Sequence, residues 1–453
     1  MSSTKTQFAS KLGVIAATLG SAVGLGTVWR FPNEVQDNGG SVFLIVYLLC
    51  VLLMGIPVML AEFALGRGSG SDAVGSFRKL SPAKRWWIVG AVAVVASYLI
   101  LSFYIVVSGW TLEYLWMSIT GELYTGIDNA NRFSSVMEQS LQSGWRPLFW
   151  TALMIILNLV ILLQGVQKGI EKMSNLLMPL LFIILIVFCC ISLSLPGAKE
   201  GVEFFLKPDF SKLDGNVLIN AVGQAFFSLS LGMGILVTYS SYYPASTRLG
   251  RTSFTVSGLV FVVAILMGLT IFPAVKAFGI TGSTEGATLV FATLPEIFMQ
   301  MPFTQLWSIL FFFLLVVAAL TSTVSLAEVD IAFLSGAFGW SRRKSCYIVL
   351  LPLFLLSAIC SLSLGPWDNI RIFGMTIFDA LDYFTSNIML PLVAIFVCIY
   401  VGHILPKSFL NEEMTNKGTV RSRIVPVVLF SIRYIAPLLV AAVLVNKIIE
   451  IIG

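Results

Sequence analysis

The chain alternates long apolar runs with short polar connections. Eleven runs stand out, at roughly 12–32, 41–66, 87–117, 147–166, 173–195, 216–242, 253–277, 305–335, 345–363, 374–403 and 424–450. Each is close to or beyond the ~20 residues a helix needs to cross a bilayer core. Several are longer, so tilt or helical extension past the membrane is expected. The pattern predicts an all-α polytopic membrane protein with 11 transmembrane helices, built as one domain over 1–453. The longer hydrophilic connections, 118–146, 196–215 and 278–304, all fall on one side.

Composition narrows the class. The 453 residues are 57% hydrophobic and 11% charged, with a mean hydropathy of +0.92. Soluble domains carry roughly 25% charged residues. A soluble enzyme, a nucleic-acid binder and a disordered chain are therefore excluded, and the partners expected are a lipid bilayer and no nucleic acid. With the N-terminus inside, 18 of the 28 Lys/Arg fall on the cytoplasmic side and 8 outside, with Arg30 and Arg433 within spans. That asymmetry predicts a cytoplasmic N-terminus and an extracellular C-terminus, in the cell (inner) membrane. The opening MSSTKTQFASKLG has no small-residue cleavage pattern, so the first span is expected to be retained. The six cysteines have no CxxC partners and read as small buried hydrophobes. A single histidine, His403, leaves little acid–base or metal chemistry, so no enzyme is expected.

Two spans carry glycine-rich centres. The first holds Gly20-Ser21-Ala22-Val23-Gly24-Leu25-Gly26 and the sixth holds Ser228-Leu229-Ser230-Leu231-Gly232-Met233-Gly234. Each glycine costs a helix about 1 kcal/mol relative to alanine. Small residues could simply permit close helix packing. Two such centres five spans apart instead suggest inverted repeats whose paired helices unwind near the midplane. The repeats would be 1–195 and 216–403, with 424–450 an added helix. Unwound backbone is tolerable only around a cavity holding ions or a polar ligand.

The polar groups inside spans are few. In span 8, Thr321 and Ser322 lie one turn after Ala318, where helical neighbours share a face. With carbonyls freed at Gly20 and Val23 they make five neutral oxygens, a set better suited to sodium than to calcium. Back-bonding to the preceding turn is the plainer alternative for the two hydroxyls. Tyr104, near the middle of span 3, needs a partner for its hydroxyl, either a ligand carboxylate or a helix carbonyl. Arg30 and Asp382 lie toward the outer ends of their spans, and Glu62, Glu328 and Asp330 toward the inner ends. Charges inside spans are functional suspects by default.

The motifs GSAVGLGTVWRFP, NGGSVFLIVY and GIPVMLAEFALGR resemble the signature of the neurotransmitter:sodium symporter family. SGWT, FFSLSLGMG, AALTS and LDYF extend the resemblance collinearly over nearly the whole chain. It implies a LeuT-like fold of 11 helices in a 5+5 inverted repeat plus one, and a secondary transporter working by alternating access. Its second sodium site would be the carbonyls of Gly20, Val23 and Ala318 with the hydroxyls of Thr321 and Ser322. The carboxylate of an amino-acid substrate would meet the amides of Leu25 and Gly26 and the hydroxyl of Tyr104. The ammonium would meet carbonyls of Ala22, Phe227 and Ser228, with Ser230 nearby. Ile100, Phe227, Met233, Ser322 and Leu326 would line the side-chain pocket, and Arg30 with Asp382 would form the outer gate.

Three departures from the family pattern matter. The first sodium site keeps Ala22 and Ser228, but Thr27 and Val260 stand where the family places asparagines, so this site is expected to be weak or lost. Ala264 stands where the family's chloride mechanisms need a serine or an acid. The family's inner gate would fall on Lys5 and Gly336, so the inner side is closed by other residues or is looser. Gly24 replaces the acid of monoamine members, which favours an α-amino acid; the apolar pocket favours a hydrophobic or aromatic one. The expectation is sodium-driven import, with a sodium-independent or proton-coupled porter or exchanger on the same fold as the alternative. The oligomeric expectation is a monomer or weak homodimer.

Overall fold

A computed structural model describes residues 7–125, 132–278 and 289–452. Among these residues, nine continuous helices are long and apolar enough to cross a membrane. They are Ser41–Ser69, Trp87–Thr120, Trp145–Leu163, Val166–Leu193, Leu249–Ala277, Thr304–Phe338, Arg342–Leu362, Ile377–Ile404 and Val425–Glu450. These are the expected spans two to five and seven to eleven, each within a few residues of its predicted bounds except span five, which starts at Val166 and not at 173. Span one is a bent pair, Lys11–Ala22 and Gly26–Asp37, turned by 68° at the break. It brings the number of candidate spans to ten. The expected sixth span is also two helices, Gly215–Ser228 and Ile235–Ser241, so a count of eleven rests on taking this pair as one interrupted span.

The two breaks have local causes. Ser10 caps the first helix by accepting from the Gly13 amide, and regular structure stops at Val23. In the sixth span the chain leaves helical geometry over 229–234. Ser230, Gly232 and Gly234 have φ of 54°, 76° and 72° there. Only glycine adopts that region freely, so two of the three positions are glycines. Glu62 stabilises the turn: its carboxylate accepts from the Gly232 amide at 2.7 Å.

Burial separates a central group from a periphery. Within their most apolar stretches, span eight is 83% buried and spans two and three are 72% and 67% buried, against 33% for span four and 39% for spans five and eleven. Span three packs along span eight, and the first half-helix of span one lies against spans five and eight. The second half of span six packs on span two. Both breaks therefore sit at the centre, facing the middles of spans three and eight. The side carrying the N-terminus is called inner below.

Candidate functional site

The core of the site is a hydrogen bond across the first break. The Leu25 N–H, freed by the unwinding, donates to the Tyr104 hydroxyl at 2.8 Å. Tyr104 is buried, and that bond uses an acceptor lone pair of its oxygen, so the O–H remains available as a donor. The N-terminus of the helix Gly26–Asp37 begins beside it and contributes partial positive charge. One buried hydroxyl and one helix N-terminus thus converge where an anionic group would be stabilised.

A small cavity of about 30 Å³ adjoins this pair. Of the expected substrate residues, Ala22, Gly26, Ile100, Tyr104, Phe227, Ser228, Ser230, Met233, Ser322 and Leu326 line it. Leu25 reaches it through its bond to Tyr104. One end is polar backbone and hydroxyl; the other is Ile100, Phe227, Met233 and Leu326. Ser230 donates to the Ser21 carbonyl at 2.8 Å and so fastens the second break to the first. Gly24 is closely hemmed in. A Cβ there would lie 2.4 Å from Ser322 Oγ and 2.6 Å from Tyr104 Oη. A Cβ at Gly26 would lie 2.2 Å from the Phe227 ring. No side chain fits at either position without displacing its neighbours.

Of the residues expected at the second sodium site, Thr321 donates through Oγ1 to the Val317 and Ala318 carbonyls of its own helix, each at 3.1 Å, which is the back-bonding alternative, and Ser322 Oγ donates across to the Gly20 carbonyl at 3.4 Å. Span one and span eight touch here, since a Cβ at Gly20 would sit 3.2 Å from Thr321 Cβ. Val23 is fully buried at the adjoining break. The donors are neutral oxygens, which suits a monovalent cation. The candidates for the first sodium site are arranged differently. The Thr27 hydroxyl donates to the Ala22 carbonyl at 3.2 Å, and Ser228 Oγ is bonded to Tyr47 Oη at 2.8 Å. Val260 is buried and offers no oxygen from its side chain.

The expected Arg30–Asp382 gate pair is not formed among the described residues. Arg30 Nε pairs at 3.5 Å with Glu34, one turn along its own helix, and its guanidinium lies over the Phe227 ring at 5.2 Å. Asp382 accepts from Ser386 Oγ at 2.9 Å, again one turn along. Each charge has found a local partner at helical spacing. Arg30, Phe227 and Ser386 nevertheless line one small cavity on the outer side of the site.

On the inner side, Lys5 lies outside the described residues. Gly336 abuts a carboxylate from another element, with a Cβ there 2.6 Å from Asp72 Oδ2. The groups that meet on this side are Glu328 and Arg342, joined by two bonds of 2.9 and 2.7 Å. The Tyr242 hydroxyl donates to Glu328 at 2.8 Å, and Arg342 also donates to the Leu162 carbonyl at 2.8 Å. This network ties spans four, six, eight and nine together. The chain start is docked beside it. Glu171 accepts from the Ala9 and Ser10 amides at 2.8 and 3.0 Å and from Ser10 Oγ at 2.8 Å, and the Phe8 amide donates to the Tyr242 carbonyl at 2.9 Å.

Sequence reasoning missed Ser21, Tyr47, Gln224 and Ile235. Gln224 Nε2 reaches the Gly26 carbonyl at 3.4 Å, and Ile235 lines the cavity. A polar residue inside an apolar run was the available signal for Gln224 and Tyr47. For Ile235 there was none.

Comparison with known proteins shows the family. The sequence matches the family described as the sodium:neurotransmitter symporter family over residues 5–144 and 130–452. The chain is 36% identical to the sodium-dependent transporter YhdH of Bacillus subtilis, covering 98% of this chain and 97% of the relative. A sodium-dependent transporter of Haemophilus influenzae is 34% identical, with 97% of each chain covered. Among solved structures, MhsT in complex with L-phenylalanine is similar with a TM-score of 0.89 and 42% identity, covering 98% of this chain and 99% of that one. The protein therefore has the LeuT-like all-helical membrane fold, and it belongs to the sodium:neurotransmitter symporter family, whose members are sodium-coupled transporters rather than enzymes.

Proposed function

We propose that this protein imports a hydrophobic or aromatic α-amino acid, driven by sodium through alternating access. The observation that carries the reading is the Leu25–Tyr104 pair set against Gly24. The pair offers a donor to a carboxylate. The space at Gly24 admits no acid that would bind a bare amine. The ammonium would lie among the carbonyls of Ala22, Phe227 and Ser228, and the side chain among Ile100, Phe227, Met233 and Leu326. Met233 adapts readily to different shapes, and the bound L-phenylalanine in MhsT is of the same chemical class.

Sodium at the Gly20, Val23, Ala318, Thr321 and Ser322 site would tie span one to span eight. It would thereby favour the arrangement in which both breaks face the substrate. At the first site the Thr27 hydroxyl already bonds Ala22, and the neighbouring Val260 brings no amide, so coupling to a single sodium is proposed. The same reading keeps the two inverted repeats, the inner-membrane location with a cytoplasmic N-terminus and extracellular C-terminus, and a monomer or weak homodimer. The deciding experiment is binding of the twenty amino acids to purified protein with and without sodium. Sodium-stimulated binding of large apolar amino acids is expected. Equal binding without sodium would instead support the sodium-independent or proton-coupled porter.

A further inference from the structure

Asp330 has no place in the transport site. It lies two residues after Glu328 in span eight, and a helix turns through about 200° over two residues. Glu328 therefore points to the Arg342 network while Asp330 faces away from it, toward spans three and nine. Its side chain is buried, with only 5% exposed, and its Oδ2 has no hydrogen-bond partner among the described residues. A buried carboxyl with an unpartnered oxygen inside a bilayer-spanning bundle is costly.

The carboxyl lines a crevice of about 280 Å³ between these three spans. The walls are Val94, Val95, Leu99, Phe333, Leu334 and Ile348. Tyr98 is the other polar group present, and its hydroxyl is engaged with the Val349 carbonyl at 3.2 Å. Val95 and Ile348 are exposed apolar residues on the outside of the bundle. In a membrane that outside is lipid, so the crevice opens sideways to the hydrocarbon and not to the substrate cavity. Its volume is near the lower end of small-ligand clefts.

We propose that this crevice is a second binding site, for a lipophilic monoamine that enters from the bilayer. The apolar walls take a hydrocarbon chain, and the Asp330 carboxylate is the partner of one ammonium. With no counter-charge the buried carboxyl is neutral while the crevice is empty; an uncharged amine entering from the lipid takes its proton and leaves an ammonium–carboxylate pair, which neither a fatty acid nor an alcohol can form. The inference is independent of which amino acid is transported.

The test uses the intact protein in proteoliposomes, labelled with dicyclohexylcarbodiimide, a membrane-soluble reagent for carboxylic acids in apolar surroundings. Adducts are mapped by peptide mass spectrometry, with Asp330→Asn as the control for site assignment. A Leu334→Trp variant, which fills the crevice, checks access in a chain that retains the carboxyl. The expected result is an adduct on Asp330, lost in the filled variant. Decylamine should reduce it by about tenfold or more at concentrations where decanol leaves it unchanged. The proposal is overturned if no adduct forms on Asp330, if Leu334→Trp labels as well as the natural chain, or if decanol protects as well as decylamine.

Discussion

Tyr104→Phe separates a job that the structure shows for this hydroxyl from one that the proposed function assigns to it. The first is structural: Tyr104 accepts the Leu25 N–H at 2.8 Å. Removing the oxygen leaves a buried amide without a partner, a cost of about 1–3 kcal/mol. The second is recognition: the remaining O–H donates to the substrate carboxylate, a charge-assisted bond worth about 1.5–3 kcal/mol. The structural cost falls on the protein whatever ligand is present, so a cycle over two ligands isolates recognition. The assay is equilibrium binding of L-phenylalanine and L-phenylalaninamide, which lacks the carboxylate charge, to natural and variant protein in saturating sodium. The variant should bind L-phenylalanine about 10- to 150-fold more weakly, with a much smaller change for the amide. Melting should show the structural cost separately, as a lower Tm with no ligand. Equal losses for both ligands would refute the carboxylate role and leave Tyr104 as a brace for the break alone.

Four further outcomes are expected. Thr321→Ala and Ser322→Ala each remove one oxygen of the proposed sodium site and should raise the sodium needed for half-maximal binding, by about tenfold if each ligand is worth a hydrogen bond of ~1.4 kcal/mol; an unchanged sodium curve would move the ion elsewhere. Uptake against sodium should give a Hill coefficient near one, because the first site lacks its amides; a value near two would restore that site. Glu62→Ala strands the Gly232 amide and should cost about 1–3 kcal/mol of stability, with Glu62→Gln recovering most of it, both read by thermal melting. Glu171→Ala removes three bonds from the start of span one. It should expose residues 7–13 to hydrogen exchange while leaving the Tyr104 site protected; unchanged exchange there would show that the docking contributes nothing.

The breaks were legible because they depend on glycine, whose backbone freedom is a local property. Gly232 and Gly234 adopt positive φ at the point where the glycine cluster falls. The residues that line the central cavity could be named through the motifs that contain the breaks. What escaped was pairing across long separations. Tyr47 meets Ser228 and Glu62 meets Gly232 from 181 and 170 residues away, and no local pattern encodes either contact. The outer gate erred in the opposite direction. Glu34 stands four residues after Arg30, a spacing that favours an ion pair in any helix, and this local partner took the arginine from Asp382. Glu328 could have been paired from sequence, since a charge within an apolar run needs a counter-charge and Arg342 opens the very next span. Asp330 falls under the same rule, and no counter-charge pairs with it among the described residues.

The two sides of the site are held shut by contacts of unequal strength, and this fixes which should open first. On the outer side, Arg30–Glu34 and Asp382–Ser386 each lie within one helix. Such i,i+4 pairs contribute about 0.2–0.5 kcal/mol to their own helix, and they do not bind span one to span ten. The stacking of Arg30 on Phe227 joins span one to span six instead, worth about 0.5–2 kcal/mol. On the inner side, Glu328 is fully buried against Arg342 and joined by Tyr242, so separating spans eight and nine leaves an uncompensated buried charge. Breaking such a pair costs about 3–5 kcal/mol when both partners are buried; Arg342 keeps 28% side-chain exposure, so the lower end applies. Without substrate, the outer side should therefore open more readily than the inner. A single cysteine introduced at Phe227 in a chain cleared of its six natural cysteines should react with a membrane-impermeant thiol reagent from outside. Arg342→Ala should shift the balance, slowing that reaction and exposing a cysteine placed at Ser325 to reagent from inside. Reaction at Ser325 that is faster than at Phe227 in the chain retaining Arg342 would refute the ranking of the two closures.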